Sequence, residues 1–178
     1  PFLSTIFTIS THQPYHVPSK YEKIFPRGTL KIHQSVRYVD HSLEQFFKTA
    51  EKKPWFKNTL FIITGDHTQM SESENYETPT GRYRVPLLLY HPTLSLPEVD
   101  PLRVTQHVDI LPTLLDFMNI KNEPYLLFGH SLFSSQQEGE AVFFIEGRYW
   151  LVHQDYFIEY NISTKQSSLF SFTDAPRL

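Results

Sequence analysis

The sequence contains no cysteine, which excludes disulfides and thiolate metal sites but leaves the compartment open. It has no excess of positive charge: 16 Lys and Arg stand against 19 Asp and Glu, for a formal net charge of -3. No basic stripe is present, so nothing favours nucleic acid as a partner. No apolar run approaches the length of a transmembrane helix. Internal repeats and low-complexity segments are absent too. What is present is a globular composition. A chain of 178 residues is long enough for a domain with a real core. Its 15 Phe and 10 Tyr do not suit a disordered chain.

The hydrophobic pattern predicts alternating elements. Residues 2–10 read as a strand leading into a loop at His12. Pro14, Pro18 and Pro26 keep the next stretch irregular. Ile32, Val36, Val39, Leu43, Phe46 or Phe47, and Ala50 recur at spacings of three and four. They predict a helix from about Thr29 to Lys53 that covers one face of a sheet and is stopped by Pro54. Residues 59–64 are a nearly unbroken apolar run, the pattern of a strand covered on both faces. A polar loop over 65–82 follows, of a length that is usually functional or mobile, then a strand over 84–90. The segment from Asp109 to Met118 predicts a helix with Pro112 in its first turn and Asp109 as its amino cap. After about residue 139 the character changes. The aromatic and β-branched runs 141–145, 149–153 and 156–160 are separated by Gly147-Arg148 and Gln154-Asp155, and predict an antiparallel meander.

The chemistry concentrates in Gly65-Asp66-His67-Thr68, directly after the apolar run. Asp66 and His67 would stand at the carboxyl end of a buried strand, where open α/β sheets build their sites. A carboxylate oxygen and an imidazole nitrogen are good ligands for zinc or manganese. The alternative is a loop Asp capping a helix with a His beside it. His107, two residues before Asp109, reads as a supporting or surface histidine, because no ligand spacing includes it. His33, His41, His91, His130 and His153 read the same way.

The order of these segments carries more than any one of them. Ser10-Thr11-His12-Gln13-Pro14-Tyr15, the strand ending in Gly65-Asp66-His67, Val85-Pro86-Leu87-Leu88-Leu89-Tyr90 and the Asp109-Ile110-Leu111-Pro112-Thr113 helix resemble the sulfatase-like branch of the alkaline phosphatase superfamily. The likeness is to its lipoteichoic acid synthase and phosphoglycerol transferase group, over residues 1 to about 135. It implies an α/β fold: an alkaline-phosphatase-like central sheet with flanking helices, plus a small carboxyl-terminal antiparallel sheet. Residues 1–138 would be the carboxyl-terminal part of the sulfatase-like domain, and 139–178 the small β subdomain packed on it. The chain opens at Pro1 inside a strand-like run, so we expect the first part of the catalytic domain and membrane helices to lie upstream.

The resemblance also implies chemistry. Family members transfer a phosphoryl-linked or sulfuryl group through a covalent intermediate, with a divalent metal supporting the nucleophile. Asp66 and His67 match two metal ligands. An acidic residue and the nucleophile would precede Pro1. The metal would be manganese or zinc, with magnesium or calcium as further choices. His12 matches the histidine of the family's H-x-P-[FY] loop, which contacts a phosphate oxygen or the departing group; the alternative is a turn histidine fixed by Pro14. Thr68 departs from the Gly found there in many relatives. Three functions follow: a metal-dependent phosphoglycerol- or phosphoethanolamine-type transferase acting on lipid headgroups or envelope glycans, a sulfatase or phosphodiesterase, or a non-catalytic relative that binds a partner. The full-length protein would be membrane-anchored with its catalytic domain outside the cytoplasm. The chain alone would be inactive and would self-associate along an exposed sheet edge beside residues 2–10.

Overall fold

A computed structural model describes residues 1–69, 71–121, 128–134 and 138–172. They fall into two compact units: Pro1–Phe61 with Tyr90–Leu94, and Ile62–Leu89 with Ser95–Leu178.

The first unit is organised by its long helix. A short helix α1, Ser19–Glu22, precedes α2, Ile32–Ala50, which sits inside the predicted boundaries. At its amino-terminal half the Gln34 side chain donates to the Glu22 and Phe25 carbonyls, both at 2.8 Å, and ties the Pro-rich stretch to the helix. Tyr21 packs against Tyr38 and His41 from the same side. At the other end Phe47 meets Phe56, Phe61 and Tyr90 edge-on or tilted, with centroids 5.1 to 6.4 Å apart. Such aromatic pairs add to the area they bury.

Residues 2–10 form no strand. A strand exists only where a neighbour takes its backbone groups, and no strand among the described residues pairs with this segment. Leu3, Ile6, Phe7 and Ile9 are 71–86% exposed. Phe2 meets the ring of Trp55 at 5.7 Å.

Two strands, β1 (Phe61–Thr64) and β2 (Leu87–Tyr90), pair into a two-stranded sheet, shorter than the predicted runs but within them. In the second unit Ile62, Leu87 and Leu89 lie against Ile110, Thr113 and Leu132. Helix α3, Ile110–Phe117, follows a 3-10 turn, His107–Asp109. The amino cap of this turn is Gln106, with Asp109 at its third position; Asp109 is also the amino-cap residue of α3, though its side chain makes no cap bond to that helix. Gln106 and Asp109 form a reciprocal capping box.

The meander is present and one strand longer than predicted. Strands β3 (Glu140–Ile145), β4 (Arg148–His153), β5 (Tyr156–Asn161) and β6 (Gln166–Ser171) form one antiparallel sheet in sequence order. Glu146 and Gly147 join β3 to β4 with φ of 49° and 76°, the pair of positive values that a two-residue hairpin turn needs. Register places Phe143, Trp150, Val152, Phe157 and Phe170 on one face. Trp150 and Val152 are buried there, and the rings form a column from Tyr83 through Phe143 and Trp150 to Phe157 and Phe170. The opposite face leaves Val142, Phe144, Ile158 and Leu169 exposed.

Candidate active site

Strand β1 delivers the site. Its last residue, Thr64, donates its hydroxyl to the Pro86 carbonyl at 2.9 Å, and the Gly65 N–H points to the same oxygen at 3.4 Å. Asp66 and His67 come next, at the carboxyl end of the strand. Asp66 caps no helix; its Oδ1 accepts the His67 N–H at 2.9 Å. The His67 ring bonds the Thr68 carbonyl through Nδ1 at 2.8 Å. A carbonyl only accepts, so Nδ1 carries a proton, and in the neutral ring Nε2 keeps its lone pair. That lone pair stands 3.6 Å from Asp66 Oδ2, and both side chains are more than half exposed.

This geometry bears on whether a metal ion fits. Two ligand atoms each about 2.1 Å from a tetrahedral ion lie about 3.4 Å apart. The observed 3.6 Å between Nε2 and Oδ2 matches that separation, and one free imidazole nitrogen plus one carboxylate oxygen is the right donor chemistry. The pair would supply two ligands, and among the described residues no cluster of three or more His, Cys, Asp or Glu is placed to hold an ion.

The 65–82 loop, described except at Met70, is ordered by its own hydrogen bonds. Thr68 donates its hydroxyl to the Arg82 carbonyl, closing the loop's two ends. Thr78 receives the Gly81 N–H at 3.0 Å and donates to Asn75, also at 3.0 Å. At the loop's exit Tyr83 stacks on Phe143 with centroids 4.0 Å apart.

His107 belongs with this group. Its Nε2 lies 2.8 Å from the Gly65 carbonyl oxygen and 3.5 Å from Thr64 Oγ1. A contact 42 residues long in sequence leaves no spacing signal. The one hint was the position of His107 just ahead of the Asp109 helix. Two other histidines do structural work: His91 Nδ1 accepts the Thr93 and Leu94 N–H groups, and His153 pairs with Glu138 at 3.0 Å.

His12 stands in the first unit, exposed, in a turn. Its N–H donates to Ile9, its carbonyl receives the Tyr15 N–H at 2.7 Å, and its Nδ1 lies 2.9 Å from the Gln13 carbonyl. Nδ1 is thus the ring nitrogen bonded within the turn, and Nε2 is the one left for other partners.

A sulfatase family model matches residues 1–120, well over half of the sequence. The chain belongs to the sulfatase family. This sulfatase-family chain is 28% identical over 163 residues to lipoteichoic acid synthase 1 of Bacillus subtilis, covering 80% of this chain and 25% of the relative. It is 28% identical over 149 residues to lipoteichoic acid synthase of Staphylococcus aureus, covering 75% of this chain and 23% of the relative. It thus spans about a quarter of the length of the curated relatives it matches. Among solved structures, a protein of the alkaline phosphatase superfamily from Vibrio parahaemolyticus superimposes with a TM-score of 0.68 at 20% identity, over 91% of this chain and 42% of that one. The fold class is therefore α/β of the alkaline phosphatase type, of which this chain supplies part. No helix among the described residues is long and apolar enough to cross a membrane.

Proposed function

We propose that this chain is part of a metal-dependent phosphoglycerol- or phosphoethanolamine-type transferase that works on lipid headgroups or envelope glycans outside the cytoplasmic membrane. The observation that carries the reading is the Asp66 Oδ2 and His67 Nε2 pair, 3.6 Å apart at the end of β1, in a sulfatase-family chain similar to lipoteichoic acid synthases. Asp66 and His67 would hold manganese or zinc, or else magnesium or calcium, together with ligands from outside this chain. When bound, such an ion lowers the pKa of a nucleophile and offsets charge on the transferred group. The nucleophile that forms the covalent intermediate also lies outside this chain. His12 serves as hydrogen-bond donor to a substrate oxygen through Nε2, since its Nδ1 lies against the Gln13 carbonyl. Residues 1–138 belong to the catalytic domain and 139–178 to a small sheet packed on it. The full-length protein is anchored in the membrane, and the exposed apolar side chains of residues 2–9 are the surface through which the isolated chain self-associates.

A second reading, a sulfatase or phosphodiesterase with water as acceptor, is favoured by the family match itself. One experiment separates the two. The full-length protein is supplied with manganese and given a phosphatidylglycerol donor, a generic phosphodiester and a sulfate ester. Glycerophosphate transfer from the lipid supports the first reading; hydrolysis of either ester without transfer replaces it with the second.

A further inference from the structure

We propose that His107 is a positioning residue for the Asp66–His67 pair: its ring N–H anchors the Gly65 carbonyl and so orients the backbone that carries both proposed ligands. This rests on the metal-site reading above. The Gly65 oxygen can only accept, so at 2.8 Å the His107 Nε2 carries the proton. The Thr64 hydroxyl has two acceptors in reach, the Pro86 carbonyl at 2.9 Å and the Gly65 oxygen itself at 3.1 Å; the His107 contact to the Gly65 oxygen is shorter than the second, and that oxygen has a lone pair for each donor. The Gly65 oxygen, the Asp66 nitrogen and the Asp66 Cα lie in one rigid peptide plane. Holding that oxygen therefore sets where Asp66 starts and the direction in which its side chain leaves. With the Gly65 N–H on Pro86, the residue ahead of the ligands is pinned on both sides.

His107 is itself held. It opens a 3-10 turn whose Asp109 takes the Gln106 N–H on Oδ2 at 2.8 Å and the His130 N–H on Oδ1 at 2.9 Å. The ring reaches the metal loop from a rigid base. Because His107 is exposed, its bond competes with water and adds little to global stability. It should instead be felt in ligand geometry, where a partner beyond the ligands commonly changes metal affinity by about 10- to 100-fold.

The test uses the full-length protein and Mn(II) alone. Electron paramagnetic resonance of the free ion reads affinity, and a thermal melt reads stability, for wild type, His107→Ala, His107→Gln and Asp66→Asn. His107→Ala should weaken Mn(II) binding at least about tenfold with nearly unchanged melting. His107→Gln should recover most of the affinity, since its amide N–H reaches the same carbonyl. Wild-type affinity in His107→Ala, with binding lost in Asp66→Asn, would overturn the inference and leave the metal site standing. Equal losses in the Ala and Gln variants, together with lower melting, would overturn it in favour of a purely structural role. Full affinity in Asp66→Asn would overturn both the inference and the metal-site reading.

Discussion

The buried carboxyl group of Asp109 accepts the backbone N–H of His130 across 21 residues, at 2.9 Å. Its second oxygen takes the Gln106 N–H, and its own carbonyl receives the Thr113 hydroxyl at 2.6 Å. Thr113, fully buried, in turn accepts the Leu132 N–H at 2.9 Å. Residues 128–132 are thus laced to the start of α3. Asp109→Ala leaves two part-buried donors without their acceptor, and we expect it to cost about 2 kcal/mol. Asp109→Asn keeps one acceptor but turns an NH₂ toward a backbone N–H, so it should lie between alanine and wild type. Urea unfolding of the three proteins checks the order.

In the full-length protein, Asp66→Asn or His67→Ala should abolish both divalent-metal binding and turnover. Each deletes a proposed ligand from a small set. His12→Ala should slow turnover while leaving metal affinity within about twofold, because a donor to substrate is not a ligand. Calorimetry with manganese beside a transfer assay reads both. Metal lost equally in all three variants would contradict the role given to His12.

Two glycines should respond differently to alanine. A Cβ at Gly81 would stand 1.8 Å from the Asn75 carbonyl oxygen, which is backbone and cannot step aside. Gly147 has open space around it but a φ of 76°. Gly81→Ala should break the turn that closes the 65–82 loop and lower activity of the full-length protein. Gly147→Ala should cost only about 1 kcal/mol, the penalty of a left-handed residue. Activity assays and melting curves on the pair test this.

Trp150→Ala should destabilise the second unit by about 4 kcal/mol, since it removes the middle of the ring column. Trp150→Phe should cost markedly less. The Trp150 indole N–H is buried without a hydrogen-bond partner among the described residues, and Phe removes that orphan donor. Leu169→Ser, on the exposed face, should be near neutral. Denaturant titration of the three variants gives the ranking.

Elements whose pattern repeats within one segment were legible in the sequence. Helix α2 declared itself through Ile32, Val36, Val39 and Leu43, and β3 to β5 through aromatic and β-branched runs. Strand β6 was missed because Gln166, Ser167 and Ser168 are polar and nearly all of the strand is exposed. The strand expected over residues 2–10 failed for the opposite reason: apolar side chains suggest a strand, but only a partner's backbone makes one. The placing of Asp66 and His67 side by side at the end of β1 was legible because both residues follow one strand directly. The His107 bond to Gly65 was not, because it joins segments 42 residues apart through a carbonyl, which every residue has.

The two tryptophans divide between the units. Trp55, in the first, is 36% exposed, and Trp150, in the second, is 6% exposed. Indole emission moves to longer wavelength as water reaches the ring, so the chain carries one redder and one bluer fluorophore, each reporting on its own unit. Loss of the blue component before the red would mean that the four-stranded sheet loosens first. The reverse order would mean that α2 and its aromatic cluster give way while the sheet holds. The order of unfolding can thus be read optically, with no label attached.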